Sequence, residues 1–378
     1  MPRQSFRASG LFDGVHMHPS ATLVIEEGKV CAITQGVGID LGVGIDLGAG
    51  LIVPGFLDLQ VNGAGGVQVG ADTDVAALVA ICRTKASLGT TGCLPTLITD
   101  TPETTRAVIH AGTAAAQVKV AGFLGLHLEG PHLDPRRKGA HDVALIRPMD
   151  DDDLALLLKA VGDLPALMVT LAPESVRTDQ IAALAQAGVI VSLGHTDCTA
   201  EVAQQAMAAG ARCATHLFNA MSQLNNRAAG MVGAILAADG ASGLIADGIH
   251  VDGVTMRVAL AAKTSGVFLV SDCMALTGSP AKSFALGGRQ IIRGEGRLTL
   301  ADGTLAGADL TLVQAVDRVQ TLAGISRERA LAMATSIPAQ VLGRSDIGRL
   351  AAGSRADFLH LLPNGALGGV WVGGVQVG

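Results

Sequence analysis

Glu129, His195, His216 and Asp272 each close a short apolar run. The runs are Val120–Leu128, Val189–Gly194, Cys213–Thr215 and Val267–Ser271. Two imidazoles and a carboxylate are a typical protein ligand set for a catalytic zinc that keeps one position open for water. A single buried histidine is more often a hydrogen-bonded core residue than a ligand. Two histidines at adjacent strand ends, with a glutamate at a third, are much harder to place in an apolar core. Glu129 is followed by Gly130-Pro131, a turn that projects the carboxylate into a loop mouth. The set points to a metal-dependent hydrolase. His16-Met17-His18 is also an H-x-H, but it precedes the first long strand in a polar turn with Pro19 and reads as surface. His127 lies two residues before Glu129, on the same strand face, and is expected to support it. His110 and His360 have no partners in sequence and receive no role.

Parallel-barrel enzymes place their chemistry at the C-terminal ends of several different strands. From about Pro54 to Leu342, strand-like runs alternate with Ala-rich helical stretches such as Asp74–Leu88, Asp179–Ala187, Thr199–Ala209 and Val254–Thr264. Eight strands are predicted: Phe56–Val61, Gly92–Thr96, Phe123–Glu129, Ala166–Leu171, Val189–His195, Cys213–His216, Gly243–Ala246 and Val267–Asp272. That alternation predicts an α/β fold, a closed (β/α)8 TIM-like barrel. Short strands with turns before it (Thr22–Glu26, Lys29–Thr34) and after it (Asp357–Leu362, Gly369–Val377) predict a small β-sandwich domain assembled from both chain ends. The expected division is 1–53 with 343–378 for the small domain and 54–342 for the catalytic barrel.

The chain has 378 residues, of which 49% are hydrophobic and 16% charged. Its mean hydropathy is +0.44. No apolar run reaches the roughly 18–20 residues that a spanning helix needs, because Gly, Asp, Thr or His interrupts each one. A parallel sheet buried on both faces accounts for the apolarity better. A net charge of −6, no Tyr and one Trp argue against nucleic-acid binding. Six scattered Cys without a C-x-x-C pair suit reduced thiols, and the N-terminus has no apolar signal region. The expectation is a cytoplasmic enzyme without a membrane partner. The tandem GVGIDLGVGIDLG at 36–48 is read as a duplication lengthening a surface turn, since no G-K-[ST] follows it.

Several segments carry a closer likeness: Pro54-Gly55-Phe56-Leu57-Asp58, Gly89-Thr90-Thr91-Gly92, His127-Leu128-Glu129-Gly130-Pro131, Lys138-Gly139-Ala140-His141, Gly194-His195-Thr196, Thr215-His216-Leu217-Phe218-Asn219-Ala220-Met221, Ala246-Asp247-Gly248-Ile249-His250 and Ser271-Asp272. Across nearly its whole length the chain resembles the N-acetylglucosamine-6-phosphate deacetylase family of the amidohydrolase superfamily. The resemblance implies that Glu129, His195 and His216 hold the metal and that Asp272 is general base and acid. It implies that His141 polarises or orients the acetamide carbonyl. Ala140, His141, Asn219, Ala220 (through its backbone), Arg227 and His250 would bind the sugar phosphate. It further implies a homodimer in which His250 reaches the neighbouring subunit's site.

The chain departs from the superfamily pattern at the end of the first barrel strand. Most amidohydrolases carry H-x-H there, supplying a second metal position; here Gln60 and Asn62 occupy it. Neutral amides are weak zinc ligands, so one divalent metal per subunit is expected, Zn²⁺ first, with Fe²⁺ or Co²⁺ as alternatives. Asn226 stands where the family commonly has His, and Ala308 where it usually has Ser. The favoured substrate is N-acetylglucosamine 6-phosphate. The competing readings are N-acetylgalactosamine 6-phosphate or another N-acyl amino sugar, a nucleobase deaminase, and a catalytically silent scaffold.

Overall fold

The computed structural model describes residues 3–35 and 43–377. Its centre is one eight-stranded parallel sheet. The strands are β1 (Phe56–Val61), β2 (Thr90–Ile98), β3 (Leu126–Glu129), β4 (Leu167–Leu171), β5 (Ile190–Leu193), β6 (Cys213–Ala214), β7 (Ala241–Leu244) and β8 (Val267–Leu269). Each pairs with its sequence neighbour, so their spatial order is their chain order. A parallel bridge between Val61 and Cys273 joins the two edges. There the Asp272 N–H donates to the Gln60 carbonyl at 3.0 Å, and the Asn62 N–H to the Cys273 carbonyl at 2.9 Å. The sheet is thereby a closed (β/α)8 barrel, as the alternation predicted.

Eight helices follow the strands in turn: α1 (Val75–Ser87), α2 (Pro102–Gln117), α3 (Asp151–Asp163), α4 (Thr178–Gln186), α5 (Ala200–Ala208), α6 (Gly230–Ala237), α7 (Gly253–Ala262) and α8 (Leu312–Ala323). Their starts are written in the sequence. Asp74, Thr101, Asp150, Thr199, Asp252 and Thr311 each accept a first-turn N–H with the side chain, a cap typically contributing about 1 kcal/mol. Strands β1 and β3 to β6 are buried at every position. This double-sided burial explains the apolar composition. Two short helices, Arg327–Ala334 and Ser336–Val341, complete the ring side of the chain.

Four of the predicted strands run two or three residues past the observed ends, three of them at a functional residue. The physical reason is local: His195, His216 and Asp272 have φ of +48°, +29° and +49°. A left-handed residue leaves the pleat, so each strand stops short and its functional residue opens the following loop. Such conformations are costly for non-glycine residues and cluster at functional sites.

Two further sheets lie at the chain ends, one from the N-terminal segment alone and one shared by both ends. One joins Lys29–Gln35, Ala21–Glu26, Gln4–Arg7 and Val43–Asp46; the other joins Val375–Val377, Leu367–Val372, Phe358–Leu361, Leu51–Pro54, Gly10–Phe12 and Met17–Pro19. A common core of Phe6, Leu11, Leu23, Ile52, Phe358 and Trp371 packs between them, with the Phe358 and Trp371 rings stacked 4.8 Å apart. Residues 36–42 of the tandem repeat lie outside the described residues. Its later part, Val43–Asp46, is a strand paired in parallel with Gln4–Arg7, not part of a turn. His18 sits on an edge strand and bonds Asp13 at 2.6 Å, outside the barrel mouth.

Between β8 and α8 the chain inserts a four-stranded antiparallel sheet of Ser283–Leu286, Arg289–Gly294, Arg297–Thr299 and Leu305–Ala308, with Gly287 and Gly288 at its first turn. Its apolar side packs on Met274 and Leu276, just past Asp272, and on Ala140, beside His141. Deeper, at the β1–β8 seam, Lys85 of α1 and Asp58 of β1 form a fully buried ion pair at 2.9 Å. Burial would discharge the Lys85 ammonium, but Asp58 beside it more than offsets this and raises its pKa.

Candidate active site

Glu129 ends β3, His195 follows β5 and His216 follows β6, and the barrel turns all three toward one point. His195 Nε2 and His216 Nε2 lie 3.2 and 2.9 Å from Glu129 Oε1, and 3.1 Å from each other. Ligands about 2.0–2.1 Å from a tetrahedral ion are themselves about 3.3 Å apart. The three donor atoms therefore already stand near the spacing one small divalent ion requires. His195 Nδ1 lies 2.8 Å from the Arg137 carbonyl. A carbonyl can only accept, so Nδ1 carries the proton and Nε2 presents its lone pair, the tautomer a metal needs. Burial alone would raise the Glu129 carboxyl; His195 and His216 overcome it and hold the group well below its usual range. A looser set, Glu129, His141 and His195, also brings its ligand atoms within 4.8 Å of one another. The shorter spacings favour His216 over His141 as the third ligand.

Gln60 and Asn62 project from the strand that closes the barrel. Gln60 Nε2 donates to both Glu129 oxygens at 3.1 Å. Asn62 Nδ2 donates to Asp272 Oδ1 at 2.7 Å. Burial, then the Glu129 charge, push the Asp272 carboxyl up to about 7 against the pull of His216, His250 and Asn62. A carboxyl poised near neutrality can take and return a proton.

His141 is buried on the loop after β3. The Thr99 N–H donates to its Nδ1 at 3.3 Å, and the Thr99 hydroxyl lies 2.8 Å from the same nitrogen. Nδ1 is then an acceptor, so Nε2 carries the proton as a donor. Burial, reinforced by His195, holds the His141 pKa well below 6.5, and the ring stays neutral. His127, expected to support Glu129, instead bonds the Leu59 carbonyl at 3.1 Å and Thr170 Oγ1 at 2.7 Å. Through Thr170 and Thr215 it belongs to a buried hydroxyl network one layer below the ligands.

Glu129, His195, His216, Asp272, Asn62 and His141 line a cavity of about 250 Å³ together with Ala140, Asn219, Ala220 and His250. Asn219 Nδ2 is tied to the His216 and Leu217 carbonyls at 3.3 Å. The Ala220 carbonyl accepts from the Thr196 N–H at 3.1 Å. Asp247 holds His250 Nδ1 at 2.6 Å. His250 lines the cavity in its own chain, where Asp247 holds the ring. Arg227 is exposed and is absent from the cavity lining. The sequence reading missed Thr304, Leu305 and Gly307 of the insert and Met274, which also line the cavity. It missed Arg289 too, whose Nη2 donates to the Ala140 carbonyl at 2.6 Å. None of them carries a local sequence signal; the insert brings them there. A larger cleft of about 810 Å³ between α1, the 120–122 loop and the C-terminal strand contains none of the ligating residues.

The model of the amidohydrolase family matches residues 51–377. An N-acetylgalactosamine-6-phosphate deacetylase from a Shewanella species is 38% identical over 327 residues, covering 85% of this chain and 82% of that protein. The N-acetylglucosamine-6-phosphate deacetylase of Haemophilus influenzae is 34% identical over 327 residues, covering 85% of each chain. Among solved structures, the N-acetylglucosamine-6-phosphate deacetylase of Pasteurella multocida superposes with a TM-score of 0.95 at 32% identity, over 99% of both chains. A family match over most of the chain, and relatives above 30% identity that share its full barrel, lead to one conclusion: the chain belongs to the amidohydrolase family.

Proposed function

We propose that the chain hydrolyses the acetamide of N-acetyl-D-glucosamine 6-phosphate, giving D-glucosamine 6-phosphate and acetate. The observation that carries this reading is the convergence of Glu129, His195 and His216 within 3.2 Å, in a cavity that Asp272 and His141 also line. One divalent ion per chain, Zn²⁺ first and Fe²⁺ or Co²⁺ as alternatives, would be held by Glu129, His195 and His216. When bound, such an ion supplies Lewis acidity, polarising an amide carbonyl and lowering the pKa of a water. Asp272 removes the proton from the attacking water and returns it to the amide nitrogen as the C–N bond breaks. His141 donates from Nε2 to the oxygen that gains negative charge, a contribution of about 3 kcal/mol for one such donor. Gln60 keeps Glu129 oriented, and Asn62 does the same for Asp272.

The phosphate would be read by His250 and Arg227, with Asn219 and the Ala220 N–H on the sugar. In the homodimer that the resemblance implies, His250 would reach the neighbouring site, and Arg227, exposed in its own chain, is also free for a role between chains. Residues 54–342 would form the catalytic barrel, and 1–53 with 343–378 the β-sandwich. The free cysteines and a phosphorylated substrate fit a cytoplasmic location. No helix among the described residues is long and apolar enough to cross a membrane. A second reading, N-acetylgalactosamine 6-phosphate, is favoured by the name of the 38% identical Shewanella relative.

Acetate release from the two 4-epimers and from unphosphorylated N-acetylglucosamine, at matched concentration, tests both readings. The expected result is a strong preference for a phosphorylated sugar, lost in Arg227→Ala. Equal rates with and without the phosphate would remove the Arg227 and His250 assignments.

A further inference from the structure

The closing strand of the barrel carries polar side chains at alternate positions, and each grips a different part of the site. Asp58 accepts the Ser271 N–H at 3.1 Å and also the Ser271 hydroxyl, fixing the residue before Asp272. Gln60 holds Glu129, and Asn62 holds Asp272. Period-two alternation puts all three on the inner face. Two of them satisfy the groups they face, but Asn62 is left half-used. Its Nδ2 is spent on Asp272, while its Oδ1 is buried without a donor among the described residues. Asn62 is 1% exposed, and it lines the cavity. A buried carbonyl oxygen without a partner is uncommon and calls for one.

Among the described residues no donor, His141 Nε2 included, reaches Asn62 Oδ1. What the deacetylase reading brings into the cavity is a secondary amide, whose single N–H must lie beside Asp272, since that nitrogen receives the Asp272 proton. Asn62 touches Asp272 at 2.7 Å. We propose that Asn62 is a positioning and recognition residue for the scissile amide: Nδ2 fixes Asp272, and Oδ1 accepts the substrate's amide N–H. This rests on the deacetylase reading and adds a specificity to it, for N-acyl over O-acyl groups. With its N–H engaged by Asn62, the nitrogen presents its forming lone pair to Asp272 as the C–N bond opens. Gln60 and Asn62 are then working residues, not remnants of a lost metal position.

The test compares the N-acetyl sugar phosphate with the 2-O-acetyl ester of glucose 6-phosphate, which lacks the N–H. Both are assayed with the metal-loaded wild type, Asn62→Leu and Asn62→Asp, with bound metal per chain measured in each. A site built around an N–H rejects the analogue without it. In Asn62→Leu, kcat/KM on the amide should therefore fall about tenfold to hundredfold more than on the ester. Asn62→Asp keeps an acceptor oxygen but loses the donor to Asp272. It should slow both substrates while leaving the amide-to-ester ratio near wild type. Equal losses on amide and ester in Asn62→Leu, or an Asn62→Asp ratio as collapsed as that of Asn62→Leu, overturn the inference and leave the deacetylase reading standing. A metal-loaded wild type that releases no acetate from either compound sinks both.

Discussion

Replacing Asp272 by Asn tests the proton carrier with little change of shape. Asn62 Nδ2 approaches Asp272 Oδ1 at 2.7 Å. An amide at 272 can offer its own carbonyl oxygen to that donor, so the tether survives. Its NH₂ then faces the cavity, a donor where an acceptor stood. Loss of a positioned general base costs about 10²–10⁴-fold in kcat, or roughly 3–5 kcal/mol of barrier. Glu129, His195 and His216 are untouched, so bound metal per chain should not change. The assay is acetate release at saturating substrate, with metal content measured on the same preparation. A variant within tenfold of wild type at unchanged metal content would refute Asp272 as the proton carrier. The same substitution has a stability signature in metal-free protein. Burial and the Glu129 charge lift the Asp272 carboxyl up to about 7, above its ordinary 3.8. Between those values the folded state binds more protons at this site than the unfolded state. This contribution to stability therefore falls as pH rises from about 4 to about 7, by an amount on the order of 4 kcal/mol. Asp272→Asn removes it. The metal-free variant should gain Tm relative to metal-free wild type as pH rises through that window, and a gap independent of pH would contradict the assignment.

The remaining expectations concern the metal, the oxygen donor and the barrel seam. Purified protein should hold one tight divalent ion per chain by mass spectrometry, and Glu129→Gln should lose most of it. Two tight ions per wild-type chain would refute the single-site reading. His141→Ala should lower kcat by about 10²–10³-fold at unchanged metal content, checked by the acetate assay; a change confined to KM would count against a donor acting in the transition state. Lys85→Met strands Asp58 without its partner at 0% exposure. It should destabilise by about 3–5 kcal/mol in urea unfolding, with much of the loss recovered in the Lys85→Met/Asp58→Leu double variant.

Much of the fold was legible because parallel strands in a barrel are buried on both faces and helices announce their caps. The run Leu126–Glu129 and the Thr311 cap before α8 are local signals that no distant contact had to supply. Strand ends were less legible. His195, His216 and Asp272 look like strand residues in sequence, and only their left-handed backbone takes them out of the pleat. The four-stranded insert had no legible pairing in sequence; it packs on Met274 and Leu276. His127 was placed on the correct face but in the wrong layer. Period two specifies a face, whereas the partner depends on the depth at which neighbouring strands pass, here Thr170 of β4.

By itself, the sequence determined the donor types, their placement at the mouth of a parallel barrel and the absence of imidazole at 60 and 62. All of these follow from residue identity and local periodicity. Only the tertiary structure decided how the pieces meet. Closure of β1 against β8 brings Gln60 and Asn62, more than 60 and 200 residues away in sequence, onto Glu129 and Asp272. The loop after β7 brings His250 to the cavity lining while Arg227 stays outside it. Hydrogen bonds and Coulomb forces act over a few ångströms. Which carboxylate meets which amide is therefore a property of the closed barrel, not of either segment alone.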